Sequence, residues 1–297
     1  MKSIAVIGAG KWGQALHFAI SKNFTCKITS RSKKEIKDFV SLDEALKCQY
    51  LILALPAQIV RMWLEENFTY TNQKILVAAK GIEKGSGAFL NDIYKQFVPE
   101  ENLGFLSGPS FAAEVMQSLP TCVVINSMNE DLAKEFASFF PHFIKTYVSD
   151  DVIGAEVSGA YKNVLAIASG ICDGLKLGNN ARASLIARGL VEMQRFGLFF
   201  GAKEETFLGL SGAGDLFLTA SSVLSRNYRV GLFLAEGKKL EAILEELGEV
   251  AEGVFTTEAI RDLCTKHDIY TPIASEVYAI LHGKAPQESL KDLLADR

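Results

Sequence analysis

The chain has 297 residues, a formal net charge of −4 and 48% hydrophobic residues, enough for two domains and for a core that needs no disulfide or structural metal. The slight acidity excludes the usual nucleic-acid-binding or membrane-surface protein, which would want a basic face. Five cysteines without a C-x-x-C pair and four scattered histidines fit a reduced, cytoplasmic protein with no zinc site.

Met1-Lys2 leads directly into an apolar run, so no secretory signal is expected, and no run is long enough to span a bilayer. The N-terminal half alternates short apolar runs with amphipathic stretches. The runs predict strands over Ser3–Ile7, Cys26–Thr29, Tyr50–Leu55, Lys74–Ala79, Leu103–Leu106 and Thr121–Asn126, with helices between them such as Trp12–Lys22 and Gln58–Glu66. Because the runs are nearly continuous rather than alternating, the strands are expected to be buried on both faces of a mostly parallel, doubly wound Rossmann-type α/β sheet with right-handed crossovers. From Val152 onward the pattern is helical almost throughout. The expected organisation is a dinucleotide-binding domain over residues 1–150 and an all-α substrate-binding and catalytic domain over residues 151–297, with a cleft between them.

The first strand runs into Gly8-Ala9-Gly10-Lys11-Trp12-Gly13, a G-x-G-x-x-G turn that opens a helix. Gly8 permits the tight turn, Gly10 lets a pyrophosphate approach the backbone, and Gly13 lets helix and strand pack closely. The helix N-terminus supplies free N–H groups and a positive dipole end. The motif therefore predicts a bound nicotinamide dinucleotide. The second strand ends in Ile28-Thr29-Ser30-Arg31-Ser32-Lys33-Lys34, without the acid that usually meets an NAD ribose. Arg31 suits a 2′-phosphate, so NADP(H) is expected to be preferred, with NAD(H) as the alternative. Equally, these basic residues could be the solvated start of a helix.

Ligands of such sheets bind beyond the C-terminal strand ends, which directs attention to Leu55-Pro56-Ala57, Ala79-Lys80-Gly81 and Ser107-Gly108-Pro109-Ser110-Phe111. Lys80 is either a cation for an anionic or carbonyl ligand or a solvated loop lysine. Ser110 is either a ligand contact, a helix N-cap for Phe111 onward, or both. Further along, Gly159–Ile167 is strongly apolar around Lys162, a costly place for a charge unless it is paired or functional. Burial lowers a lysine's pKa and suits it to proton exchange with an alcohol or ketone, while the alternative places Lys162 on an outer helix face. If Asp215 to Arg226 forms one helix, Asp215, Thr219, Ser222 and Arg226 share a polar stripe that is either a ligand-facing wall or a solvent face. The break at Ser225-Arg226-Asn227 would interrupt it.

Taken together these segments resemble bacterial-type NAD(P)-dependent glycerol-3-phosphate dehydrogenase. The resemblance rests on GAGKWG (Gly8–Gly13), AAKGIE (Ala78–Glu83), SGPSFAAE (Ser107–Glu114), YKNVLAI (Tyr161–Ile167), NARASLIARGL (Asn180–Leu190), LSGAGDL (Leu210–Leu216), SRN (Ser225–Asn227) and AEG (Ala251–Gly253), all in the same order. It implies reversible reduction of dihydroxyacetone phosphate to sn-glycerol 3-phosphate, feeding phospholipid synthesis, with hydride from the nicotinamide and a proton from Lys162. It further implies Lys80 and Asp215 as catalytic partners and Gly108, Ser110, Asn163, Thr219, Ser225, Arg226 and Asn227 as substrate contacts. Lys11, Trp12, Arg31, Ser32, Lys80, Ala112, Arg226, Val250 and Glu252 are the implied cofactor contacts beside the three glycines. A homodimer is implied, with no metal, no nucleic acid and no membrane insertion. The chemistry is coherent, since a ketone receiving hydride needs a proton and nearby cations, and a bound phosphate positions it. One departure is that only residues 32–49 separate Arg31 from the strand at Tyr50, where the family usually carries a longer segment with a Tyr-Leu-Pro sequence. Two other readings compete, a ketopantoate-type reductase and a catalytically silent cofactor-binding regulator. The GPSF loop and Ser225-Arg226-Asn227 argue against the first, and the presence of Lys80, Lys162 and Asp215 argues against the second.

Overall fold

The computed structural model describes residues 2–248 and 251–295. A seven-stranded sheet is built from β1 (Ile4–Ile7), β2 (Cys26–Thr29), β3 (Tyr50–Leu53), β4 (Lys74–Val77), β5 (Leu103–Ser107), β6 (Thr121–Asn126) and β7 (Ile144–Ser149), in the spatial order β2-β1-β3-β4-β5-β6-β7. Each neighbouring pair is parallel except β5 and β6, which are antiparallel. The runs IAVI and YLIL are buried at every position, as strands covered on both faces must be.

Three expectations are corrected here. The third and fourth strands stop at Leu53 and Val77, two residues short of the expected ends, because the chain turns there into loops. β5 continues to Ser107. β7 was not anticipated, since Ile144–Ser149 lies at the sheet edge with several exposed positions and lacks a continuous apolar run.

Around the sheet lie α1 (Lys11–Ile20), α2 (Leu42–Leu46), α3 (Val60–Asn67), α4 (Leu90–Tyr94), α5 (Ala112–Met116) and α6 (Glu130–Ala137). α1 and α6 contribute Leu16, Ile20, Leu132 and Phe136 to a core shared with Val6, Ile28, Ile52 and Ile125. Tyr50 is wedged edge-on against Phe136 and Phe139, at centroid distances of 5.9 and 5.0 Å, a favoured aromatic arrangement. No helix follows Arg31. Residues 38–40 instead run back beside β2, with Ile28 N donating to Asp38 O (3.1 Å) and Val40 N to Ile28 O (3.0 Å). The reading of Lys33 and Lys34 as the start of a helix is thereby overturned.

The chain divides into two compact units, Met1–Lys80 with Leu90–Ala155, and Gly81–Phe89 with Glu156–Arg297. The short excursion at residues 81–89 belongs to the second unit through an antiparallel Ile82–Phe89 bridge, an edge contact of Phe89 with Phe200 (5.2 Å) and a Lys84–Glu258 ion pair (2.5 Å). The second unit is helical: α7 (Val152–Gly174), α8 (Asn179–Phe199), α9 (Glu204–Leu208), α10 (Asp215–Ala220), α11 (Arg226–Ala235), α12 (Leu240–Leu247), α13 (Glu252–His267), α14 (Pro272–Leu281) and α15 (Pro286–Ala295). α7 is buried along nearly its whole length, the mark of a central helix that is apolar all round. It crosses α11 with the two backbones in contact. A Cβ on Gly170 would lie 2.0 Å from Tyr228 O, and one on Gly231 would lie 2.1 Å from Ile167 O.

At the N-terminal ends of β1, β3 and β4, Glu135 of α6 accepts from Tyr50 (2.5 Å) and pairs with Lys74 (2.5 Å) and Lys2 (3.2 Å). Partial burial alone would raise its pKa, but hydrogen bonds from Lys74, Tyr50 and Lys2 outweigh this and hold it at about 2, from an ordinary 4.5. A depressed carboxylate stabilises the folded state above its unfolded pKa and loses that contribution as pH falls through the folded one. Denaturant titration of Glu135→Gln should therefore show a deficit of roughly 1–2 kcal/mol at pH 7, after allowing for solvent screening. That deficit should shrink steadily between pH 4.5 and pH 2.

Candidate active site

In the first unit the glycine turn lies where β1 ends, between β2 on one side and β3 on the other. This is the point at which strand order reverses and ligands of open sheets bind. Gly8 sits at φ +107°, and a Cβ there would lie 2.4 Å from Ala54 O. A Cβ on Gly13 would lie 1.7 Å from Gly8 O, so α1 can start this close to β1 only without one. Gly10 differs, since a Cβ on it would meet nothing within 4 Å. The space over the turn is thus clear. Gly10 is also the N-cap of α1, with no side-chain cap and no acid in the first turn, leaving the first N–H groups to face outward. A pyrophosphate fits this cradle.

Several side chains hold the cradle in shape. Gln14 Nε2 (2.9 Å) and Lys34 Nζ (2.6 Å) both donate to Ala9 O, and Trp12 Nε1 donates to Ala78 O (3.2 Å) at the end of β4. Neither the Gln14 nor the Lys34 contact is legible in the sequence, because both join residues to a backbone carbonyl. Lys11 is exposed at the first position of α1. Arg31 and Ser32 are exposed beyond β2. Arg31 makes no hydrogen bond or ion pair to another described residue, whereas the Ser32 carbonyl accepts from Ser30 Oγ (2.8 Å).

Two further loops of the same unit meet at one carbonyl. Lys80 Nζ (3.3 Å) and Ser110 Oγ (3.2 Å) both donate to Gly108 O, with Gly108 itself at φ +97°. Ser110 is not an N-cap. α5 begins at Ala112 and Phe111 takes the cap position, so the serine hydroxyl is one residue too early to cap it. Ala112, the first residue of α5, is half-buried.

In the second unit Lys162 lies on α7, 7% exposed, which removes the outer-face alternative. Its Nζ donates to Asp215 Oδ1 (2.7 Å) and Thr219 Oγ1 (2.9 Å), and Thr219 Oγ1 lies 3.4 Å from Asp215 Oδ1. Asp215 is 1% exposed, so the pair is a buried salt bridge in which each charge is compensated by the other and by a hydroxyl. Asp215 opens α10 directly after a π-turn over Leu210–Gly214, a local geometry often found at functional sites. That turn needs Gly212, whose Cβ would come within 2.3 Å of Phe207 O.

The polar stripe expected over Asp215 to Arg226 does not exist as one helix. α10 ends at Ala220 and α11 begins at Arg226, because Ser221, Ser222 and Ser225 favour turns and caps over helix interior. Asp215 and Thr219 share a face and reach Lys162, while Ser222 Oγ only accepts from Leu224 N (3.2 Å). Ser225 caps α11, accepting from Tyr228 N (3.3 Å), and Arg226 is exposed at the first helical position. Asn227 is buried, and its Oδ1 accepts from Gly253 N (3.0 Å) at the start of α13. A Cβ on Gly253 would lie 2.7 Å from that Oδ1 and 2.8 Å from Asn163 O. Lys162 and Asn163 on α7 therefore adjoin both the Asp215–Thr219 pair and the α11–α13 junction. Asn163 Nδ2 itself donates to Gly159 O (3.2 Å). Glu252 is half-buried in the first turn of α13, and Val250 lies outside the described residues.

Glu192 was not anticipated. Its carboxylate accepts from Tyr161 OH (2.7 Å), Ile273 N (2.8 Å) and Ala274 N (2.8 Å), tying α7 and α8 to the N-terminus of α14. Burial pushes the Glu192 carboxyl up, against these hydrogen bonds, and burial with the nearby Glu192 charge drives the Tyr161 phenol far above its ordinary range. An acid inside the short apolar run from Gly189 to Met193 was the available signal. Among the described residues no cluster of three or more His, Cys, Asp or Glu side chains could hold a metal ion, and no helix is long and apolar enough to cross a membrane.

Comparison with known proteins gives a consistent picture. The model of the NAD-dependent glycerol-3-phosphate dehydrogenase C-terminus matches residues 151–292, and the corresponding N-terminus matches residues 31–133. The chain is 66% identical over 291 residues to a glycerol-3-phosphate dehydrogenase [NAD(P)+] of Campylobacter jejuni subsp. doylei, covering 98% of each. It is 63% identical over 296 residues to that of Sulfurimonas denitrificans, covering 100% of each. The crystal structure of glycerol-3-phosphate dehydrogenase from Coxiella burnetii superimposes with a TM-score of 0.91 at 32% identity, over 99% of both chains. The chain belongs to the NAD-dependent glycerol-3-phosphate dehydrogenase family, as its ordered motifs implied.

Proposed function

We propose that this protein catalyses the reversible, NAD(P)H-dependent reduction of dihydroxyacetone phosphate to sn-glycerol 3-phosphate in a reducing, cytoplasmic compartment. Its family membership and near-full-length relatives support the overall reaction, and the five free cysteines support the compartment. The observation that carries the mechanism is the buried Lys162 ammonium held between Asp215 and Thr219.

When bound, the nicotinamide supplies or accepts hydride at the substrate's C2. The residues of this chain do the rest. Lys162 gives a proton to the C2 oxygen as charge builds there in reduction, and takes it back in oxidation. Asp215 and Thr219 fix the ammonium's position and offset its charge, so that little reorganisation is needed at the moment of transfer. Lys80, Gly108, Ser110, Asn163, Ser225, Arg226 and Asn227 are assigned to substrate positioning, with Arg226 and Asn227 at the phosphate end. The Gly8–Gly13 turn and the α1 N-terminus hold the pyrophosphate, and Lys11, Trp12, Ala112, Val250 and Glu252 complete the cofactor contacts. Arg31, exposed and without a partner among the described residues, faces a 2′-phosphate and favours NADP(H) over NAD(H).

Steady-state assays with dihydroxyacetone phosphate test both assignments. Lys162→Met should lower kcat by at least about a thousandfold while cofactor binding, followed by nucleotide fluorescence, survives. Met also strips the ammonium from a buried carboxylate, at a cost of about 3–5 kcal/mol. Lys162→Arg is therefore the decisive companion. It keeps a cation beside Asp215 yet should remain inactive, because a guanidinium does not release its proton. An active Arg variant removes proton transfer from Lys162. On the cofactor side, Arg31→Ser should reduce kcat/KM for NADPH about tenfold and leave NADH nearly unchanged. Equal losses with both cofactors would reject the 2′-phosphate contact.

A further inference from the structure

The second unit contains a cavity of about 430 Å³, walled by α7, α8, α14 and α15. Its floor is apolar and includes Ile171, Val277, Ile280 and Leu290. The residues proposed for proton transfer and cofactor binding do not line it, and its volume lies within the roughly 300–1,000 Å³ of ordinary small-molecule sites. One face of α8 forms a long wall, contributing Ser184, Arg188, Val191 and Arg195 at near-helical spacing.

The charges around this cavity are unequal in their commitments. Glu192 is occupied by Tyr161 and two backbone N–H groups, and Glu276 is paired with Lys284 at 2.6 Å. Arg195 donates to Tyr270 O (2.7 Å) and lies over the Tyr270 ring. Arg188 alone among the charged lining side chains makes no hydrogen bond or ion pair to a described residue, and it is exposed at the α8 wall. A second donor in the lining also lacks an acceptor, the hydroxyl of Ser289, which is buried at 2% exposure.

We infer that this cavity is a binding site for a long-chain carboxylate, its alkyl tail on the apolar floor and its head group against Arg188. A carboxylate supplies the acceptor that Arg188 lacks, and its two oxygens match the guanidinium fork. A single uncommitted cation suits a monoanion. The apolar walls give affinity that grows with chain length, by about fourfold for each buried methylene. An amphipathic helix of a second copy would use the same floor but has no need of Arg188.

The test is isothermal titration calorimetry of the full chain with octanoate, decanoate and dodecanoate, each below its micelle concentration, and with dodecanol as the uncharged probe. The expected result is saturable binding that tightens along the acid series and is at least tenfold weaker for the alcohol. Arg188→Ala should weaken dodecanoate about tenfold and leave dodecanol unchanged. Ser184→Trp, at an exposed position on the rim, should obstruct both probes while far-UV circular dichroism stays native. Three results would each overturn the site: no saturable binding, equal affinity for acid and alcohol that ignores Arg188→Ala, or self-association that Ser184→Trp abolishes. The titration reads binding and not turnover, so its outcome is independent of dehydrogenase activity.

Discussion

A helix buried on all sides has strong need of partners for the polar side chains it carries, because water is not available to most of them. α7 is such a helix, and much of the second unit follows from its needs. Tyr161 requires Glu192, Lys162 requires Asp215 and Thr219, and Ser169 Oγ donates to Ala220 O at 2.7 Å. Glu192 sits on α8 and Asp215, Thr219 and Ala220 on α10, so these two helices are oriented by what α7 lacks. Glu192 passes the constraint on to α14 by receiving two of its N-terminal N–H groups, which would otherwise be orphaned. The chemically useful lysine is thus one member of a set of compensated burials.

The first unit is organised by steric closeness instead. Gly8 and Gly13 bring β1, α1 and the Ala54 backbone within distances that no Cβ would allow. The reward is a helix N-terminus aimed across the sheet's switch point with Gly10 open above it. Lys34 and Gln14 then fix the Ala9 carbonyl from two directions. A lysine bound in this way cannot at the same time act as a loose surface cation, which separates Lys34 from its neighbour Arg31.

What was legible in the sequence follows the range of the interactions involved. The glycine turn could be read directly, since strand, turn and helix are consecutive and each glycine has a local reason. The sheet's central strands were legible because burial on both faces makes their runs continuous. β7 was hidden because polar residues break its apolar run and several of its positions are exposed at an edge. The stripe from Asp215 to Arg226 failed because hydroxyl residues at 221, 222 and 225 compete for backbone groups and stop α10 after Ala220. The stripe's first two members still converge on Lys162, because they precede the break. Asn227 and Glu192 act on backbone N–H groups more than twenty residues away, and no spacing rule reaches that far. The family resemblance brought these distant motifs together before their geometry was known.

The nine-residue excursion at Gly81–Phe89 has a consequence for how this chain can be made. The chain passes from one unit to the other after Lys80, returns after Phe89 and leaves again after Ala155. During synthesis the Phe89 ring and the Lys84 ammonium leave the ribosome more than a hundred residues before Phe200 and Glu258, their partners. The second unit therefore cannot close on a nascent chain until its own helices are complete. A fragment beginning at Glu156 would be missing a piece of its own packing. The two units are separable as objects in space but not as segments of sequence, and any attempt to express, permute or swap one of them has to carry that loop with it.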